Sequence, residues 1–154
     1  MKKILVSECL YGGRAVRYDG AEKACDHPVF RKWKKQGRLI PVCPEILGGL
    51  PVPREEAQLQ GDQVITRSGN DVTENYVRGA EEALRIATEK DVICCVMKEG
   101  SPSCGSSEIH DGIFTGTKIP GEGLATGYLR ACGFEVFSEE EIEDAAAFVA
   151  ANER

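Results

Sequence analysis

Seven cysteines in a chain of 154 residues are the groups most able to do chemistry, and their placement separates them into two sets. Cys9 follows the apolar run Lys3-Ile4-Leu5-Val6-Ser7, Cys43 ends the run Arg38-Leu39-Ile40-Pro41-Val42, and Cys104 lies in a Gly-Ser-Pro-Ser-Cys-Gly loop after a third run. Thiolates are soft ligands. Three of them can hold zinc with an open fourth position, or three corners of an iron–sulfur cluster whose fourth iron is left free. The spacing has no CxxC pattern, so the two alternatives stand side by side at this point.

The other four cysteines read as packing or incidental residues. Cys94 and Cys95 are adjacent in one apolar run, so as strand residues they point to opposite faces. Cys132 closes a predicted helix, and Cys25 sits in a charged loop before His27. So many thiols in a chain read as cytoplasmic point to metal binding or catalysis, because disulfides are rare in a reducing compartment.

Two kinds of polar group, a carboxylate and hydroxyls, accompany the three cysteines. Glu45 is two residues past Cys43, and Ser101 and Ser103 share the loop of Cys104. A carboxylate facing an open metal position can act as a general base toward water, and a hydroxyl can relay the proton. Their plainer roles are a loop carboxylate and a turn serine bonded to its own backbone. Arg17, Asp19, Arg54 and Asp71 lie in loops near the same edge, where they would orient a ligand or brace the loops. Tyr18, Phe114 and Tyr128 are candidates for stacking on a flat ring, or for ordinary packing.

The elements that position these residues alternate. Residues 3–7 predict a buried first strand, and 27–36 a helix capped by Asp26, with Pro28 in its first turn and Gly37 at its end. Residues 38–43 predict a second strand, followed by a Pro- and Gly-rich loop without regular structure through Pro53. Residues 63–66 form a short strand. The strongest helix signal is 71–90, capped by Asp71 or Asn70, with Val72, Tyr76, Val77, Ala80, Ala83, Leu84 and Ala87 on one face. Residues 91–97 are a continuous apolar strand, 121–133 a helix ended by glycine, 134–137 a last strand, and the alanine-rich tail from 139 a helix.

Strands alternating with helices predict a single α/β domain over 1–154, three-layered and Rossmann-like, with a mostly parallel sheet covered by helices on both faces. Ligand sites in such sheets lie outside the carboxyl ends of the strands, which is where all three cysteines fall. The short apolar start is no signal peptide or membrane span. A formal charge of -6 argues against broad attraction to nucleic acid, and the basic run Arg31-Lys32-Trp33-Lys34-Lys35 reads as a solvated helix face. The segment Gly121–Gly127 departs from the dinucleotide fingerprint, though its amides could bind an anion as a helix N-terminus.

The chain resembles a known family through a series of motifs in order. They are Ile-Leu-Val-Ser-Glu-Cys-Leu at 4–10, Val-Arg-Tyr-Asp-Gly at 16–20, Pro-Val-Cys-Pro-Glu at 41–45, Gly-Gly-Leu-Pro-Val-Pro-Arg at 48–54 and Gly-Asn-Asp-Val-Thr at 69–73. Ser-Pro-Ser-Cys-Gly at 101–105, His-Asp-Gly-Ile-Phe-Thr-Gly at 110–116 and Gly-Glu-Gly-Leu at 121–124 continue the series. Together they resemble the thiouracil desulfurase (desulfidase) family over nearly the whole chain.

That resemblance implies a 4Fe-4S cluster on Cys9, Cys43 and Cys104, whose fourth iron takes the thiocarbonyl sulfur of a small thiolated pyrimidine. It also implies that Glu45 and Ser101 are the acid and base; Ser103, Asp19 and Arg54 are expected around the substrate from their own places in the loops at that edge. The implied reaction is redox-neutral: the iron polarises C=S, water activated by Glu45 attacks carbon, and uracil and hydrogen sulfide result. A three-cysteine zinc hydrolase and a non-catalytic cluster or thiol redox sensor are the competing readings. Two residues depart from the pattern. Glu8 precedes the first ligand where a small residue is expected, bringing negative charge toward an anionic cluster, and His110 stands where tyrosine is frequent.

Overall fold

The computed structural model describes residues 1–153. Its centre is a parallel sheet of β1 (Ile4–Ser7), β2 (Leu39–Val42), β5 (Cys94–Met97) and β8 (Val136–Ser138), in the order β2-β1-β5-β8. Every residue of β1 and β5 is buried, which is why these strands read as unbroken apolar runs rather than alternating ones. Cys94 pairs with Ile4 and Cys95 with Leu5. Cys94 packs with Ile4, Val6, Phe30 and Val149, and Cys95 with Leu5, Ala83, Met97 and Leu129, so adjacent thiols serve opposite cores.

Helices cover both faces. Helix α2 (Pro28–Lys35) and α6 (Ile142–Asn152) supply the first core, α4 (Thr73–Glu89) and α5 (Leu124–Ala131) the second. Two antiparallel hairpins lie outside the sheet: β3 (Ala57–Gln60) with β4 (Gln63–Thr66), and β6 (Glu108–His110) with β7 (Lys118–Pro120). Short helices α1 (Glu8–Tyr11) and α3 (Pro44–Leu47) follow β1 and β2 directly. No helix among the described residues is long and apolar enough to cross a membrane.

Several local expectations are corrected. Helix α2 is capped by His27, whose Nδ1 accepts the Val29 N–H at 3.1 Å, and not by Asp26. The backbone cap of α4 is Val72, with no side-chain bond, while Asp71 accepts the Thr73 N–H at 2.9 Å one position earlier. The strand at 63–66 pairs in a hairpin rather than in the parallel sheet, and β3, β6 and β7 carried no expectation at all.

The Pro- and Gly-rich stretch after Cys43 also contains a regular turn, α3, where a structureless loop was expected. Close packing on α4 explains it. A Cβ on Gly79 would lie 1.8 Å from the Pro44 carbonyl oxygen, and one on Gly48 would lie 1.9 Å from that of Asn75. The paired glycines bring α3 and α4 into backbone contact, and Asn75 Nδ2 seals the junction by donating to the Gly48 carbonyl at 2.9 Å.

Candidate functional site

Three strand ends meet at one cavity of about 330 Å³, and Cys9, Cys43 and Cys104 all line it. Cys9 is in the first turn after β1. Cys43 holds an extended backbone (φ −119°, ψ 101°) between β2 and Pro44, the first residue of α3. Cys104 is buried in the loop after β5.

Burial pushes the Cys9 thiol up to about 12, and the nearby Cys43 adds to the rise while Lys98 and Arg17 oppose it. Cys43 is raised, by burial first. Cys104 is raised by burial and then by Cys9 and Cys43. Cys9 and Cys104 therefore sense the charge of neighbouring thiols, as groups gathered around one cavity do.

The loop carrying Cys104 is built around Glu99, a residue that carried no functional signal in the sequence. Its carboxylate is buried. Oε1 accepts the N–H groups of Gly100, Ser106, Ser107 and Glu108 at 3.3, 2.9, 3.0 and 3.1 Å, and Oε2 accepts the Ser106 and Ser107 hydroxyls at 2.9 and 2.8 Å. Burial alone would raise this carboxyl, but these donors outweigh it and hold it down at about 2.

Helix α5 anchors the loop from the other side. The N–H groups of Gly123, Leu124 and Ala125 donate to the carbonyls of Gly105, Pro102 and Ser103 at 2.8, 2.9 and 2.9 Å. Thr126 Oγ1 donates to the Cys104 carbonyl at 2.9 Å. The amides considered for anion binding are thus taken up by the cysteine loop. Gly123 is required there, because a Cβ would lie 2.4 Å from Ser103 backbone.

Ser101 accepts the N–H groups of Ser103 and Cys104 at 3.1 and 3.0 Å, the local turn role, and its hydroxyl also meets the Ser103 hydroxyl at 2.9 Å. Ser103 in turn donates to Glu45 Oε2 at 3.0 Å. Arg54 Nε donates to Glu45 Oε1 at 2.9 Å, and its terminal nitrogens donate to the carbonyls of Pro51 and Val16 at 3.0 and 2.8 Å. Glu45, Arg54, Ser101 and Ser103 all line the cavity. Tyr76, expected only as a core residue of α4, lines it too. Its phenol, raised by burial and then by Glu45, stays protonated.

Other candidates are placed elsewhere. Asp19 lies outside the lining, where it pairs with Arg17 at 3.5 Å and accepts the Ala21 N–H. Asp71 serves α4, Phe114 stacks under the Arg67 guanidinium at 4.7 Å, and Tyr128 is not in the wall. Tyr18 and His110 are in the wall. Glu8 also faces the cavity, but Arg14 engages both its oxygens at 2.8 and 2.9 Å, so its charge arrives compensated. Lys98, not singled out in the sequence, holds Glu139 at 2.6 Å beside Cys9.

Among the described residues, no three Cys, His, Asp or Glu side chains form a group that could hold a single metal ion. The three thiols instead stand around a cavity, with a carboxylate and two hydroxyls on the same wall. This donor set fits a larger sulfur-ligated group held by three thiolates and open on its fourth side.

The 2-thiouracil desulfurase family model matches residues 4–141. The chain belongs to this family. It is similar to the uncharacterised protein YbbK of Bacillus subtilis (strain 168), at 40% identity over 151 residues, covering 92% of this chain and 98% of that one. Among solved structures it is similar to the 4Fe-4S-dependent thiouracil desulfidase TudS, at 43% identity with a TM-score of 0.95, covering 98% of this chain and 99% of the other. The α/β sandwich around a parallel sheet is thus the fold of that family member.

Proposed function

We propose that this protein holds a 4Fe-4S cluster on Cys9, Cys43 and Cys104 and removes sulfur from a small thiolated pyrimidine such as 2-thiouracil, yielding uracil and sulfide. The observation that carries the reading is the meeting of three thiols with the Glu45, Ser103 and Ser101 chain on one cavity wall. Family membership and the likeness to a 4Fe-4S-dependent desulfidase support it.

When bound, the cluster supplies a Lewis-acidic iron, free of protein ligands, toward the substrate sulfur. The chain's own residues handle water and protons. Glu45 Oε2 is the acceptor for the proton of the attacking water, with Ser103 and Ser101 as the hydroxyl path along which it leaves. Arg54 holds the carboxylate in place through Oε1 and keeps its other oxygen toward the hydroxyls. Water adds to the carbon of C=S, the C–S bond breaks, and the sulfur departs as sulfide with the two protons of water. Carbon keeps its oxidation level, so no external reductant is needed.

The test is anaerobic preparation. The expected protein is brown, with about four irons and four labile sulfides per chain, and it releases sulfide from 2-thiouracil. Cys9→Ser, Cys43→Ser and Cys104→Ser lose the iron, whereas Glu45→Gln and Ser101→Ala keep it and lose turnover. Zinc without labile sulfide, or a reconstituted protein that releases no sulfide, overturns the proposal.

A further inference from the structure

We infer that the cross-strand pair His110 and Lys118 recognises the edge of the substrate ring that carries the ring N–H and the exocyclic oxygen; this rests on the desulfuration reading above. The two residues face each other in the register of the β6–β7 hairpin, and they are the residues that this hairpin contributes to the cavity wall. Nothing else on the hairpin reaches the thiols' cavity.

What distinguishes the pair is its unmatched polarity. Glu8, Arg17, Glu45, Glu56 and Lys98 in the same wall each have an ion-pair partner, and Glu99 has its own donors. Among the described residues Lys118 has neither an ion pair nor a side-chain hydrogen bond, although its ammonium reaches back over Gly100, 3.4 Å from where a Cβ would stand. His110 Nδ1 is enclosed and has no hydrogen-bond partner, the one such buried side-chain atom among the described residues. Nδ1 is closed off from solvent, so a ligand pairs it only once the ring turns within the wall; an enclosed polar atom left unpaired is costly, and that pairing recovers the cost on binding.

The chemistry of the pair selects the ligand. An ammonium donates to an exocyclic oxygen, and an imidazole nitrogen pairs with a ring N–H or with the same oxygen. A thiolated pyrimidine with its sulfur toward the three thiols carries a ring N–H beside the thiocarbonyl and an exocyclic oxygen beyond it. That edge needs one strong donor and one adaptable partner. A wall built to pair an oxygen rejects an analogue that lacks it, because the site's own polar groups are then stranded.

The experiment uses the cluster-loaded protein, with His110→Phe, which keeps a ring, and Lys118→Met, which keeps length at an exposed position and so does not endanger folding. Two substrates are compared, 2-thiouracil and 2-mercaptopyrimidine, the second lacking the exocyclic oxygen. Uracil affinity is measured separately by calorimetry. Each substitution is expected to raise the KM for 2-thiouracil and the Kd for uracil by about tenfold. It should leave iron and sulfide content unchanged and erode the preference for 2-thiouracil by a similar factor. Variants with full clusters, unchanged KM, unchanged uracil affinity and unchanged preference overturn the inference while desulfuration stands. A wild type that binds uracil more tightly than both variants but releases no sulfide leaves the pair standing and sinks desulfuration instead.

Discussion

Ser103 donates its hydroxyl proton to Glu45 Oε2 at 3.0 Å, joining the loop of the third cysteine to the turn that follows the second. Both residues are next to or near a cysteine in sequence, yet 58 positions separate them, so the bond exists only once β2 and β5 lie in one sheet. The proposed proton path is therefore a product of the sheet topology.

Ser103→Ala tests that bond directly. Removing the hydroxyl leaves Glu45 with Arg54 and the neighbouring Tyr76 phenol and interrupts the path to Ser101. A loss of about 2 kcal/mol in stability is expected for a hydrogen bond to a charged group. A fall in kcat on the order of a hundredfold is expected for a lost proton-transfer partner. Both are read at constant iron content; a variant with wild-type kcat removes Ser103 from the path.

Arg54 fills a different position. Its side chain is 7% exposed and that of Glu45 13%, so the pair is largely out of water. Arg54→Met deletes the guanidinium and strands a buried carboxylate, for an expected loss of about 3 kcal/mol. Denaturant midpoints of wild type, Arg54→Met and Arg54→Met/Glu45→Gln separate the causes: the second substitution should recover much of the loss.

The sheet and its cysteines were legible because buried parallel strands leave an unmistakable pattern, short apolar runs such as Leu5-Val6 and Cys95-Val96 closed by polar loops, and because parallel strands put their ends together. What escaped reading lacks a period. Glu99 looks like any acidic residue before a glycine, since its six donors lie in a loop with no repeating pattern. The β6–β7 hairpin is short and largely exposed, so Ile119 and Lys118 have no buried face to alternate against. The α3 turn depends on Gly79, which in the sequence is only a weak spot in a helix and in the fold is the contact point with Pro44.

Glu99 gives the protein an acid limit. Its carboxyl is held at about 2 against an ordinary 4.5. A carboxyl depressed in the folded state stabilises fully above the ordinary value and loses that contribution as pH falls toward the folded one. About 3 kcal/mol should therefore disappear between pH 4.5 and 2 in wild type. In Glu99→Ala the urea midpoint should be lower at neutral pH and flatter across that interval. An equally steep acid limb in the variant would assign the loss to other carboxyls.

Gly79→Ala probes the junction that holds Cys43 and Glu45. The added methyl cannot share space with the Pro44 carbonyl, 1.8 Å from the Cβ position, so α3 must move off α4. Overpacking of this kind costs about 2 kcal/mol. Because Pro44 lies between Cys43 and Glu45, iron content and turnover should fall with stability. Gly69→Ala, at a turn with open space around it, should leave iron content unchanged despite its positive φ of 95°.

The thiols themselves set how the site loads. With Cys9 pushed up to about 12, and Cys43 and Cys104 raised by the same burial, the cluster-free protein keeps these groups protonated at neutral pH. Iodoacetamide at pH 7 should label exposed Cys132 well before any of them. Labelling of Cys9 should grow about tenfold per pH unit on the way up to 12, because the thiolate is the reacting form. Ligation must expel those protons, so iron uptake during anaerobic reconstitution should rise with pH and fall as the solution is acidified. Lys98 lowers Cys9, and Lys98→Met should slow both its labelling and the uptake at a given pH. Mass spectrometry of the labelled peptides and iron content over a pH series check the two readouts independently. Labelling of Cys9 at the rate of Cys132 at pH 7 would mean that its burial does not hold in solution.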